Sequence, residues 1–128
     1  MSVRIVRLGT ERTEGEGPRL GTVRRPPRGV RKDDYATGNW YDTWLPELSP
    51  SPELVASARA AESEADWAGF VKAFRKEMGA ATPARLLDML ALLSRSGDFS
   101  LGCYCEDEAR CHRSVLRELL TERGADIA

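Results

Sequence analysis

The chain has 128 residues, a formal net charge of −1, 41% hydrophobic and 30% charged residues. This length supports one hydrophobic core but not two ordinary domains, so we expect a single domain over residues 1–128. The near-neutral charge argues against attraction of the whole surface to nucleic acid or membrane. No segment approaches the roughly 20 consecutive apolar residues of a transmembrane helix.

Cysteine usage and the amino terminus predict the compartment. The charged start of the sequence lacks the apolar stretch of a secretory signal. Three cysteines, an odd number, do not make a disulfide framework. We therefore expect a cytoplasmic protein with reduced thiols.

The first third of the chain predicts short strands separated by loops. Apolar residues between arginines at 3–8 favour a strand, and a polar, glycine-rich loop follows at 9–18. A second strand is expected within 19–25, ending at Pro26-Pro27, which cannot donate ladder hydrogen bonds. The aromatic stretch at 40–45 precedes another proline and favours an edge strand.

The middle of the chain predicts three helices. Ser51-Pro52 has the pattern of an N-cap followed by proline at the first helical position, for a helix to about residue 62. Ser63 and Asp66 form a capping-box pattern in front of a second helix. Thr82-Pro83 is expected to begin a third helix. Four of its leucines recur at helical spacing and are predicted to face the core: Leu86, Leu87, Leu90 and Leu93.

Residues 99–120 predict a buried strand, a tight acidic loop and an amphipathic helix. All three cysteines and the only histidine fall within this stretch. The order of elements predicts an α/β fold: a small Rossmann-like layered domain with a short, mainly parallel sheet and helices on its faces. The acidic loop then lies at the carboxyl end of a strand, where ligands bind in open α/β sheets.

Two blocks of sequence resemble the YeaO-like proteins of the domain of unknown function family 488. The first contains Pro27-Arg28-Gly29-Val30, then Trp44 and Ser49-Pro50-Ser51, and the second contains Cys105-Glu106 and Cys111-His112-Arg113. The resemblance implies one compact YeaO-like α/β domain related to Rossmann-like folds, and it implies no particular activity. Many members carry D-R-L-W before the P-R-G, where this chain has Val23-Arg24-Arg25-Pro26.

The Cys111-His112-Arg113 segment is the candidate catalytic element. A thiol at a helix N-terminus beside Arg113 is favoured as a thiolate, which is the nucleophilic form. The preceding carboxylates of residues 106–108 would instead raise the pKa of that thiol. The alternative is a buried structural cysteine whose neighbours tie the helix start to nearby loops.

A metal site is a further alternative that the spacing disfavours. Cys103, Cys105, Cys111 and His112 are zinc-competent residue types. The paired C-x-x-C spacing is missing, and neighbouring Cys111 and His112 are not expected to reach one ion. We therefore predict no metal site.

Residues 19–32 form a local basic segment with six positive residues and no acidic one. Arg24, Arg25 and Arg28 could bind a phosphate or carboxylate bidentately. Trp40 and Trp44 could stack on a base, which makes a nucleic-acid-binding or regulatory module the rival hypothesis. Alternatively, the arginines are solvated or pair with the acidic loop at 106–108.

The function expected from the sequence is binding of a small anionic ligand, such as a nucleotide or phosphorylated metabolite. Nucleic acid is the less favoured partner and no membrane partner is expected. The sequence leaves open whether the protein is an enzyme, and it names no cofactor. The expected site contains these residues: Cys111 and His112 as catalytic groups, and Arg24, Arg25, Arg28, Cys105, Glu106 and Arg113 as ligand-binding groups.

Overall fold

A computed structural model describes all 128 residues and contains a four-stranded, entirely parallel sheet. The strands are β1 (Val3–Arg7), β2 (Arg19–Gly21), β3 (Thr43–Trp44) and β4 (Phe99–Cys103), in the spatial order β1-β4-β2-β3. All five residues of β4 are buried, and β3 lies at an edge. The predictions of a covered strand, an edge strand and an α/β fold are therefore confirmed.

Four α-helices complete the fold: α1 (Pro52–Ala60), α2 (Glu64–Met78), α3 (Ala81–Leu93) and α4 (His112–Glu122). The predicted starts of the first two helices are confirmed. The Ser51 side chain accepts a hydrogen bond from the Leu54 amide, and Ser63 and Asp66 form a reciprocal capping box. None of these helices combines the length and apolarity that crossing a membrane requires.

Two details predicted for α3 are wrong. The helix begins at Ala81, so Thr82-Pro83 lies inside the first turn, where the missing proline amide has no helical partner to lose. Leu93 is 44% exposed rather than buried. The helix ends at Leu93, and it is the next residue, Ser94, that turns inward and donates from its hydroxyl to the Ala91 carbonyl.

Two apolar clusters organise the interior. The larger one packs residues from α2, α3 and α4 against β1 and β4, with α1 on its margin; its fully buried members include Phe74, Leu87, Leu101 and Leu116. Each such side chain stabilises the fold by about 1.5–3 kcal/mol. The smaller cluster contains Leu8, Val23, Tyr41, Cys103 and Cys111. It lies at the carboxyl ends of the central strands, so the cysteines are part of the packing there.

Candidate functional site

The carboxyl edge of the sheet brings three distant segments together. Arg7 at the end of β1 pairs in register with Cys103 at the end of β4, and Gly21 at the end of β2 pairs with Gly102. The Thr22 amide then donates to the Gly102 carbonyl at 2.9 Å, which extends the pairing beyond β2. The segments that follow β1, β2 and β4 therefore meet at one edge, as the sequence predicted for a parallel sheet.

His112 is held at this edge by the segment that follows β2. Its Nε2 atom lies 2.6 Å from the carbonyl oxygen of Thr22. Because a carbonyl oxygen only accepts hydrogen bonds, Nε2 carries the proton and the neutral ring has its lone pair on Nδ1. Burial lowers the pKa of His112 to about 4, so the imidazole is neutral at pH 7.

The three cysteines form one cluster in which only Cys105 is exposed. The Sγ atoms of Cys103 and Cys111 lie 2.7 Å apart, and neither cysteine is in a disulfide. Hydrogen bonds from the Cys103 and Cys111 thiols lower the pKa of Cys105, and the positive charge of Arg113 lowers it further. The exposed thiol is therefore the one favoured as a thiolate.

The pKa of Cys111 is shifted in the opposite direction, upward. The hydrogen bond from Cys103 lowers its pKa, but the neighbouring Cys105 and burial outweigh that contribution, and the pKa is raised overall. Its side chain is also 2% exposed. The reactivity expected of Cys111 stays a prediction, and the geometry favours Cys105 as the thiol that a reagent meets first.

Arg113 is buried next to the cysteine cluster. Its Nη2 atom donates to the Cys105 carbonyl at 2.6 Å, while its buried Nε atom has no hydrogen-bond partner within the protein. Buried donors are almost always paired, so an unpaired guanidinium nitrogen beside thiols is an unusual feature.

The acidic loop is neutralised by arginines from outside the basic segment. Glu106 lies 3.6 Å from a guanidinium nitrogen of Arg7, and Glu108 accepts two hydrogen bonds from Arg117 at 2.7 and 2.9 Å. The alternative that this loop pairs with the arginines of residues 19–32 is therefore wrong. Register explains the result for Arg7, because that residue ends the strand beside β4.

The arginines of the basic segment fall into two groups. Arg24 is half-buried and donates to the Ser49 and Pro50 carbonyls at 3.0 and 3.1 Å. Arg25 and Arg28 are exposed, and the Tyr104 hydroxyl donates to the Arg25 carbonyl at 2.8 Å. The structure thus brings the backbone of Arg25 beside the segment that leads to Cys105, while it directs Arg24 toward the start of α1.

A cleft of about 330 Å³ opens at the same edge. It is lined by Arg7, Leu8, Gly9, Thr10, Trp40 and Tyr104. The two aromatic rings meet edge to face with centroids 5.9 Å apart. The cleft therefore combines an arginine, a hydroxyl and two aromatic surfaces, which is a suitable lining for a small ligand with a ring and a charge.

A protein-family model described as "Active DUF488-N3 subclade" (DUF488-N3a) matches residues 3–124. The chain belongs to this family. The match confirms the resemblance to family 488 proteins and covers both the basic segment and the Cys-His-Arg segment. No curated protein and no solved structure matches the chain.

In this DUF488-N3a protein, a buried ion pair that sequence reasoning missed supports the cleft. Glu16 and Arg19 are 2% and 1% exposed and form a salt bridge. Arg19, which the sequence analysis counted only as one charge of the basic segment 19–32, also donates to the carbonyls of Glu11, Thr10 and Asn39. The only indication in the sequence was an acid and a base three residues apart in a glycine-rich stretch.

Proposed function

We propose that this DUF488-N3a protein binds a small anionic ligand, a nucleotide or phosphorylated metabolite, at the carboxyl edge of its sheet. The sequence placed this ligand between the segment Arg24–Arg28 and the helix start at Cys111-His112-Arg113, whereas the cleft that supports the proposal is lined by Arg7, Thr10, Trp40 and Tyr104. The observation that carries the proposal is the cleft beside Tyr104, because its volume falls within the range of small-molecule sites.

The aromatic surfaces of the cleft support a ligand with a planar ring. Trp40 and Tyr104 are both half-buried, so each keeps part of its ring accessible. Stacking of one base on an aromatic side chain contributes about 1–3 kcal/mol. A ligand ring stacked on the accessible part of either ring would replace water on an apolar face.

The charges around the cleft support an anionic group on the same ligand. The Arg7 side chain is 45% exposed; its Nε atom donates to the Tyr104 carbonyl at 3.3 Å and its Nη2 atom lies 3.6 Å from Glu106, which leaves other guanidinium N–H groups for a phosphate. The exposed Arg25, whose carbonyl accepts a hydrogen bond from the Tyr104 hydroxyl, adds positive charge beside the cleft.

The test is equilibrium binding of a nucleoside 5′-monophosphate, measured by titration calorimetry against the parent nucleoside and inorganic phosphate. We expect saturable 1:1 binding of the monophosphate and weaker binding of each part alone. Trp40→Leu and Arg25→Gln should each weaken binding at least about tenfold, the equivalent of one stacking contact or one charged hydrogen bond.

Arg85→Gln is the matched control. It removes an exposed arginine from α3, which contributes no residue to the cleft, and it should leave the affinity unchanged. Equal effects of Arg25→Gln and Arg85→Gln would overturn the proposal, as would an absence of saturable binding. A steep, linear fall of log affinity for oligonucleotides with log salt, without monophosphate binding, would favour the nucleic-acid module instead.

A further inference from the structure

We propose that Cys103, Cys111 and His112 hold a zinc ion, with Cys105 as the fourth ligand on the solvent side. This site is distinct from the cleft and does not depend on the proposed function. It contradicts the expectation from sequence spacing, and the geometry of the buried cluster gives the reason.

The ligand atoms are already close to one another. The sulfurs of Cys103 and Cys111 and a ring nitrogen of His112 all lie within 4.8 Å. Zinc bonds of about 2.3 Å to sulfur and 2.0–2.1 Å to nitrogen place tetrahedral ligand atoms about 3.5–3.8 Å apart. The distance from Cys111 Sγ to His112 Nδ1, 3.7 Å, already fits. The two sulfurs have to separate by about 1 Å to admit the ion.

Backbone conformation explains how neighbouring residues can share one ion. Cys111 is the N-cap of α4 and is extended, with φ −131° and ψ 151°, whereas His112 is the first helical residue. The chain therefore bends between them, and both side chains approach Cys103.

The hydrogen bond to Thr22 prepares His112 as a ligand. Because Nε2 donates to a carbonyl oxygen, the lone pair of the ring lies on Nδ1, the atom next to Cys111 Sγ. Zinc-bound histidines characteristically donate their other ring N–H to a carbonyl or carboxylate, which fixes the tautomer and the ring orientation. Thr22 supplies that support from the end of β2.

Arg113 provides a second, independent indication of bound thiolates. Its buried Nε atom has no acceptor in the protein, and the guanidinium interacts with Cys103 and Cys111. Metal-bound thiolates would supply the missing acceptor. Three thiolates and one zinc ion leave one negative charge, which the guanidinium balances.

Zinc is the metal that suits this ligand set. Two or three thiolates with one imidazole are soft ligands, and a closed tetrahedral Cys₃His set is a structural zinc arrangement. Binding deprotonates the cysteine thiols and releases their protons to the buffer, so affinity should fall at low pH. A ligand in the cleft and a zinc ion would both bind at this edge of the sheet, but they would contact different residues.

The test is a titration of the full chain with Co²⁺, after chelator treatment and under reducing, oxygen-free conditions. We expect one equivalent to bind, with thiolate-to-cobalt charge-transfer absorption and the intense visible bands of tetrahedral cobalt. One equivalent of Zn²⁺ should remove these bands. Weak octahedral bands, a stoichiometry other than one, or no spectrum would overturn the proposal.

Variants assign the ligands. Cys111→Ser and His112→Asn should each weaken binding by more than about 100-fold, while Cys105→Ser should keep the 1:1 stoichiometry and lose part of the charge-transfer intensity. Binding by both of the first two variants as tight as in the unchanged chain would contradict the site. Circular dichroism checks that each variant folds. If a variant does not fold, the cobalt spectrum of the unchanged chain alone tests the zinc site. Nucleoside monophosphate binding measured on the same metal-free protein separates failure of this site from failure of the cleft.

Discussion

Arg19 donates a hydrogen bond of 2.7 Å from its Nη1 atom to the carbonyl oxygen of Asn39, the residue before Trp40. The same nitrogen donates to the Thr10 carbonyl at 2.9 Å. Thr10 and Trp40 belong to different segments of the chain, and both line the cleft. One buried guanidinium, neutralised by Glu16, therefore holds both segments in place, and this pair is the structural basis of the cleft.

Replacing Arg19 by methionine should be strongly destabilising. Arg19→Met leaves the Glu16 carboxylate buried without its charged partner, and breaking one half of a buried ion pair costs about 3–5 kcal/mol. The double variant Glu16→Met/Arg19→Met should recover part of that free energy, because no charge then stays buried, although the hydrogen bonds to the Thr10 and Asn39 carbonyls remain lost. Urea unfolding monitored by circular dichroism measures both. A loss below about 1 kcal/mol for the single variant would contradict this role.

Stability should fall below pH 4.5 partly because Glu16 is protonated. Burial opposes ionisation of Glu16, but the hydrogen bond from Arg19, the Thr13 amide and the charges of Arg19 and Arg12 outweigh it and lower the pKa below its ordinary 4.5. A carboxyl whose pKa is lowered by folding contributes stability above its unfolded value, and that contribution is lost as pH falls through the folded value.

Free energies of unfolding measured across this pH range check the Glu16 contribution. The unchanged chain should lose stability more steeply below pH 4.5 than Glu16→Gln does. Glu14→Gln alters an exposed carboxyl of the same loop and should retain the steep dependence. Identical curves for Glu16→Gln and the unchanged chain would exclude Glu16 as the cause.

Cys105 should be the first cysteine to react with an alkylating reagent. Its pKa is lowered by the Cys103 and Cys111 thiols, and its side chain is exposed, whereas both partners are buried. Iodoacetamide added to the metal-free protein at neutral pH should label Cys105 rapidly, and the other two should be labelled only after unfolding. Peptide mass spectrometry identifies the site. Cys105→Ser should abolish the fast phase, and early labelling of Cys111 would contradict the assignment.

Gly9→Ala should damage the cleft more than Gly15→Ala does. Both glycines have positive φ angles, +89° and +78°, so alanine is strained at either position by about 1–2 kcal/mol. Only at Gly9 would the added Cβ also meet the Trp40 ring, at 2.8 Å, whereas nothing lies near Gly15. Gly9→Ala should therefore weaken monophosphate binding and Gly15→Ala should not. Calorimetry measures the affinity of both variants, and equal affinities would show that Trp40 is not part of the binding site.

Local patterns predicted most of the fold. The apolar run at 99–103 became the buried β4, and the prolines around Trp44 limited β3 to two edge residues. The Ser63–Asp66 box began α2 as its spacing indicated. Such features depend on neighbours within a few residues, which is why the sequence reveals them. The predicted burial of Leu93 was wrong because it depended on the residue at which the helix ends.

The candidate site was less predictable because its chemistry depends on contacts between distant residues. The Thr22–His112 hydrogen bond spans 90 positions, and the Tyr104–Arg25 hydrogen bond spans 79. Arg19 and Arg28 look equivalent in the basic segment, yet one is buried in an ion pair and the other faces solvent. The same holds for the cysteines: hydrogen bonds from Cys103 and Cys111 lower the pKa of Cys105, whereas Cys105 and burial raise the pKa of Cys111.

The amino-acid sequence by itself determined the order of the elements, the α/β class and the family, because periodicity, caps and motif spacing are local properties of the chain. Only the tertiary structure decided which arginines are neutralised, which cysteine is exposed and that Cys103 approaches His112. Parallel pairing of β4 with both β1 and β2 is the physical reason, since it places three segments far apart in the chain at one edge of the sheet.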